Sequence, residues 1–158
     1  MKIMLFLRSG PVLRIFTALI VVSVFGSAFG DVEGMTPVGV WRVLGDKSGE
    51  AEALVRITEH DGAYEGRIIT LFARPGVNPD ARCEACPGPR KNLPVKGLVI
   101  MTGLRRVGTE YKDGEILDPD SGDLYRCNLK VSEDNRKVFV RGFIGVSLFG
   151  RTQTWLRE

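Results

Sequence analysis

Beyond residue 36 the chain is dominated by a period of two, and no other feature restricts its fold as strongly. Ala53, Val55 and Ile57 alternate with Glu52, Leu54 and Arg56; Tyr125, Cys127, Leu129 and Val131 alternate with Arg126, Asn128 and Lys130; Val138 and Val140 alternate with Lys137, Phe139 and Arg141. Successive side chains on a strand point to opposite faces, so such runs bury one face and leave the other wet. The stretches "EHDGAY", "KDGE", "DPDSGD" and "SEDNRK" separate the runs and supply the Gly, Asp, Asn and Pro that tight reversals need. Eight runs result, at 37–44, 51–58, 63–72, 97–106, 109–117, 123–131, 136–146 and 149–157. Helical periodicity over roughly ten or more residues is missing after residue 30. The pattern predicts an all-β domain, with a sandwich and a closed barrel as the two architectures. A single antiparallel up-and-down barrel of eight strands is preferred, because sequential hairpins build it without a long crossing connection.

The first thirty residues belong to a different kind of segment. Lys2, Arg8 and Arg14 precede an apolar run from Ile15 to Phe25, and "GSAFGD" follows with small residues suited to a signal peptidase. This predicts a secretory leader over 1–30, cleaved after Gly30 or, as second choice, after Ala28, and one barrel domain over 31–158. The apolar run is shorter than the roughly 20 residues a spanning helix needs, so no stable membrane anchor is expected. A lipid anchor would need a cysteine directly after the cut, and the first is Cys83.

Removing the leader changes the charge argument. The chain carries 22 basic and 19 acidic residues, a net +3, and the leader takes away three basic residues and no acid. The domain that remains is neutral. It lacks the basic face that attracts phosphate backbones, so nucleic acid is not an expected partner.

One connection is long. Residues 73–96, "ARPGVNPDARCEACPGPRKNLPVK", hold five of the eight prolines and the pair Cys83-x-x-Cys86. Unstructured loops of this length are uncommon inside compact domains, and the prolines lower the entropy of the free loop. Cys83 and Cys86 are read as a disulfide ring, which an oxidising compartment permits. A redox pair would need a helix start in a βαβ unit, and a zinc site from Cys83, Cys86, Cys127 and His60 would have metal spacing in one pair alone. Cys127 shares the period of Tyr125 and Leu129, which favours a buried thiol, with a disulfide to either loop cysteine as the alternative.

No constellation for catalysis emerges. His60 falls at a hairpin turn, "DPDSGD" lacks the later ligands of a calcium loop, and no phosphate loop, serine elbow or paired-histidine motif occurs. No metal or cofactor is expected, and no enzymatic activity is assigned.

Two resemblances emerge at the ends of the domain. "PVGVWRV" contains Gly39-Val40-Trp41, and "GRTQTWLR" sets Arg151 on the last strand. This resembles the lipocalin and calycin arrangement, in which a tryptophan from the first strand closes the barrel base and an arginine from the last packs over it. The middle lipocalin motif and the helix after the barrel are missing. The succession "GVWRV", "YEGRI", "NPD", "GEILDPDSGDLYRCNLKV" and "VRGFIGVSLFGRTQTW" is similar to the bacterial domain-of-unknown-function family 2147. That resemblance implies a lipocalin-like barrel in the periplasm of a Gram-negative cell, with Gly142, Gly145, Gly150, Arg151, Thr152, Gln153 and Trp155 on the family's motif. It implies no activity.

Two functions compete. Eight strands enclose space for side chains or for one small ligand. In the first reading Arg151 and Gln153 hold the polar head of an amphipathic or lipid-like ligand, while Tyr64, Ile68, Tyr125, Leu129, Val138 and Trp155 line the interior and glycines 66, 142 and 145 leave space. In the second, the barrel is filled, Gly39, Trp41 and Arg151 close its base, and the protein docks an envelope partner through the 73–96 loop. Both need Trp155 inward. The opposite register would put Thr152, Thr154 and Leu156 inside.

Overall fold

The computed structural model describes residues 35–46, 48–73, 75 and 78–158; the leader predicted at 1–30 lies outside them. Eight strands form, β1 (Gly39–Leu44), β2 (Ala51–His60), β3 (Ala63–Leu71), β4 (Val99–Val107), β5 (Glu110–Leu117), β6 (Leu124–Val131), β7 (Lys137–Phe143) and β8 (Arg151–Arg157). Each pairs antiparallel with the next, and β8 returns to β1 to close the barrel. The ends of the predicted runs move by a few residues. The largest difference lies between β7 and β8, where the alternation was expected to run to 146 and resume at 149. Instead Gly145 adopts φ +70° and a 3-10 turn forms at Ser147–Phe149.

Alternation decides which face is inside. Trp41, Val55, Ile57, Tyr64, Ile68, Met101, Leu104, Tyr111, Cys127, Leu129, Val138, Val140 and Trp155 are all buried in one cluster. Their packing leaves little slack. A Cβ on Gly66 would lie 3.0 Å from Met101 Cβ, and one on Gly114 would lie 2.5 Å from Leu104 Cγ. The expectation that glycine 66 leaves space is therefore corrected: Met101 takes it. Gly145 sits in the β7–β8 connection, outside the ladder, and Gly142 keeps ordinary clearance, its nearest neighbour Ile116 Cγ2 at 3.6 Å from a built Cβ.

The strands divide the connections between two ends. At one end lie the tight turns β2–β3, β4–β5 and β6–β7, together with residues 35–38 and the C-terminal Glu158; this is the base. At the other lie the β1–β2, β3–β4, β5–β6 and β7–β8 connections, which form the loop end. The seam between β1 and β8 is short, with Trp41 opposite Arg157 and Arg42 opposite Leu156. Glu158 extends it by donating its N–H to the Val40 carbonyl at 3.0 Å, and the Arg42 guanidinium makes two hydrogen bonds to the Glu158 carboxylate at 2.7 and 3.0 Å.

Residues 81–95 of the long connection are tied together by their own backbone. Cys83 N–H donates to Leu93 O, Asn92 N–H to Cys83 O and Val95 N–H to Ala81 O, each at 2.9 Å. A disulfide joins Cys83 to Cys86, with Cα atoms 5.3 Å apart, and both sulfurs are buried. The ring sits on the β5–β6 turn: a side chain at Gly122 would collide with the Ala85 backbone, and Cys83 Sγ lies 3.2 Å from the Pro119 carbonyl oxygen.

Candidate functional site

The base is built from the first and last strands. Trp41 is fully buried and its indole N–H donates to Pro37 O at 2.6 Å. The guanidinium over its ring belongs to Arg157, with Cζ 4.2 Å from the ring centroid. Arg157 also donates from Nε to Asn135 O at 2.6 Å, from Nη1 to Val38 O at 3.1 Å, and from Nη2 to Thr36 O at 2.7 Å and Asn135 Oδ1 at 2.6 Å. Burial moves its pKa below the ordinary arginine value. Gly39 belongs to the same arrangement, because its φ of +142° is poorly suited to any side chain and a Cβ would lie 2.6 Å from Arg157 Nη1.

Gly39 and Trp41 lie together at the base with Arg157, and the expectation that Arg151 joins them there is corrected. The reason is direction. β8 runs antiparallel to β1, so Trp41 near the base meets the last residues of β8. Arg151 starts that strand and stands six residues away, roughly 20 Å at 3.3 Å per residue. Its side chain is 64% exposed at the loop end, where it forms an ion pair with Asp46.

The interior candidates come together as core. Ile68, Leu129, Val138 and Trp155 are at most 3% exposed and lie in one cluster. Tyr64 packs edge-on to Tyr111 at the base end, ring centroids 4.7 Å apart, and Tyr111 donates its hydroxyl to Met35 O at 3.2 Å. Burial pushes the Tyr64 phenol up to about 12, with Tyr111 and Glu59 adding to the effect. Trp155 points inward, and Gln153 follows it, its amide oxygen accepting the Trp155 indole N–H at 3.1 Å. The opposite register is therefore excluded.

Nearer the loop end the filling thins. Tyr125 and Gln153 are half-buried, and the Tyr125 hydroxyl reaches Asp123 at 3.4 Å. Two clefts open on the surface: one of about 300 Å³ includes Arg67, Arg90, Leu93 and Lys96, and one of about 190 Å³ includes Asn128, Lys130, Phe139 and Arg141. Neither is lined by Tyr64, Ile68, Val138 or Trp155; of the interior candidates, Leu129 borders the second.

Three side chains that tie the barrel ends together were not singled out by the sequence reading: Arg157, Asp46 and Arg141. Arg157 shares the period of Trp155, and antiparallel closure alone would have selected it over Arg151. Arg141 spans the β7–β8 connection, donating to Ser147 O at 2.7 Å, Leu148 O at 3.1 Å and Thr152 Oγ1 at 2.8 Å. Such a link from a strand to its own loop carries no signature in the sequence. Cys127 is free and buried, and burial lifts its thiol to about 12. The disulfide already uses both sulfurs that a zinc site with Cys127 and His60 would require, and His60 is exposed at the end of β2. Among the described residues no group of three or more metal-ligating side chains forms, and no helix is long and apolar enough to cross a membrane.

Residues 39–157 match a bacterial family described as uncharacterized protein conserved in bacteria, DUF2147. No curated protein matches the sequence. Among solved structures the chain is similar to protein HP1028 from the human pathogen Helicobacter pylori, described as belonging to the lipocalin family, with a TM-score of 0.68 at 21% identity over 79% of this chain and 84% of that one. That likeness establishes a shared fold.

Proposed function

The chain belongs to the DUF2147 family, and from that premise we propose that it is an exported, lipocalin-like barrel that fills its interior with its own side chains and acts at its loop end as an interaction module of the cell envelope. The observation that carries this reading is the packing at mid-barrel. Met101 occupies the space beside Gly66, Leu104 that beside Gly114, and Val138, Leu129 and Trp155 complete a core with exposures of 0–2%. A lipid tail would have to displace these side chains, each of which contributes about 1.5–3 kcal/mol by its burial. The leader-like first thirty residues support export, and the hydrogen-bonded stretch 81–95 of the long connection supports a defined surface at the loop end.

A second reading is supported by one observation. Tyr125, Arg151 and Gln153 are the ligand candidates that stay accessible, and Gly142 between them keeps ordinary clearance. A small amphipathic ligand held at this shallow mouth would use Arg151 for its anionic head. Mass spectrometry of protein extracted from its native compartment separates the two. The filled-barrel reading expects no small molecule at one per chain; a stoichiometric amphipathic acid, lost on Arg151→Met, would replace it with the second reading.

A further inference from the structure

The β3–β4 connection concentrates charge that the domain as a whole balances. Residues 85–109 include Arg90, Lys91, Lys96, Arg105 and Arg106 and no acid. Arg90 and Lys96 meet Arg67 of β3 around the cleft of about 300 Å³, which no acidic residue lines and whose remaining lining includes Leu93, Pro94 and Val99. That volume is at the lower end of those that take small ligands. We propose that this cleft binds a small phosphate monoester with an apolar body, its phosphate held by Arg67, Arg90 and Lys96 and its body laid on Leu93, Pro94 and Val99. Tyr125, Arg151 and Gln153 do not line it, so the inference goes beyond both readings of the barrel and holds whether or not the interior is full.

The walls of the cleft are tied to one another. Arg67 donates from Nη1 to Gly97 O at 2.8 Å and from Nη2 to Glu65 Oε1 at 2.9 Å. Gly97 N–H donates to Ile68 O at 2.7 Å, and Ile68 N–H to Leu98 O at 3.0 Å, so the end of the connection is laced to β3. On the other side Cys83 exchanges hydrogen bonds with Asn92 and Leu93, and its disulfide to Cys86 braces the stretch that carries Arg90. Groups held in place in this way lose less freedom when a ligand arrives.

Charge selects the ligand. Glu65 offsets Arg67, whereas the side chains of Arg90 and Lys96 make no hydrogen bond or ion pair among the described residues, although Arg90 is half-buried. The acids of the connection, Asp80 and Glu84, form no ion pair with either, and Arg82 and Lys91 match them in number. Arg56 adds to the imbalance, because it stands directly across from Arg67 in the β2–β3 register, where like charges repel. At least two positive charges are therefore left over at the cleft. A phosphate monoester carries about −1.5 to −2 at pH 7 and three acceptor oxygens, which meets both cations, while a single carboxylate would leave one unmet. Leu93, 44% exposed beside them, gives an apolar body a surface that a bare phosphate ion does not use.

The test uses nitrogen-15-labelled protein expressed from the whole gene and purified as the cell processes it, titrated with phenyl phosphate and followed by the backbone amide spectrum. Saturable shifts are expected at Leu93, Gly97, Leu98 and Val99, with weaker binding of inorganic phosphate and of benzoate, and none of phenol. Arg90→Gln with Lys96→Gln should weaken phenyl phosphate by about tenfold or more, since each removes a charged donor. Neither side chain has a partner to lose, so the spectrum of the free double variant should stay that of the folded parent. Arg67 is left in place because it holds Gly97. Arg105→Gln, an exposed cation that does not line the cleft, should change affinity by less than about twofold. Shifts that do not saturate, or that scatter over the surface, would mean an adventitious anion only and would overturn the proposal. So would equal losses from Arg105→Gln and the double variant, or phenol binding as tightly as phenyl phosphate. Shifts confined to Tyr125 and Gln153 would place the ligand at the barrel mouth, overturning this site and defeating the filled-barrel reading, whereas an unshifted mouth beside a saturable cleft leaves that reading standing.

Discussion

The guanidinium of Arg157 stacks on the indole of Trp41 and donates to backbone oxygens of Thr36, Val38 and Asn135, so one side chain ties the end of the last strand to the approach to the first and to the β6–β7 turn. This matters because the β1–β8 ladder is short. Replacing Arg157 with methionine keeps much of the apolar stem but removes the stacking and leaves those oxygens without their donor. The expected loss is about 2–3 kcal/mol in urea unfolding. Arg151→Met, at the exposed pair with Asp46, should cost no more than about 0.5 kcal/mol. Equal losses would contradict the assignment of closure to Arg157.

The identity of the residue at position 39 should depend on Arg157. Gly39→Ala meets two obstacles, an unfavourable φ and the nearby Arg157 Nη1. Destabilisation of about 2 kcal/mol is expected, from the strained backbone and the displaced arginine together. Combined with Arg157→Met the two losses should sum to less than their parts, because the collision is already gone. Full additivity in thermal or urea melts would show that the two residues are independent.

The contrast between Trp155 and Arg151 shows how far the sequence can be read. Period-two alternation carries the face of a residue, so inward Trp155, Leu129 and Val138 and the eight strands were legible, as were the turn residues between them. Alternation carries no height along the barrel. Arg151 shares the parity of Trp155 yet emerges at the opposite end from Trp41, and only the antiparallel closure of β8 on β1 reveals that. The fullness of the interior was hidden for a related reason: Gly66 looks like space until the register shift in β4 brings Met101 beside it.

Two glycines with different surroundings test that filling. At Gly114 an added methyl would strike Leu104 and the Thr102 carbonyl, the latter 2.9 Å away, so backbone as well as side chain must move. Gly114→Ala should lose about 1–3 kcal/mol. At Gly142 the nearest atoms stand 3.6 and 3.7 Å away, on Ile116 and Tyr125, which is ordinary contact. Gly142→Ala should therefore lie within about 1 kcal/mol of the parent. If both are tolerated, the interior is looser than its packing indicates and a ligand within it becomes the better reading.

The three cysteines give a prediction with a defined pH window. With Cys83 and Cys86 joined, alkylation under denaturing, non-reducing conditions should modify Cys127 alone, and under native conditions at neutral pH it should modify nothing. The thiol of Cys127 is fully buried, and loss of hydration disfavours its thiolate, which raises the pKa from 9.0 to about 12. The folded state thus holds a proton that the unfolded state releases. Below pH 9 both states are protonated and the stabilising effect of burial is complete; as pH rises from about 9 towards about 12, the unfolded form ionises first and stability falls. Cys127→Ala has no thiol to ionise and should lose less stability than the parent between those limits, even though the smaller side chain lowers its starting value. Parallel stability curves for the two proteins across that range, or native-state alkylation at neutral pH, would show that the thiol is accessible and that its burial does not control its ionisation.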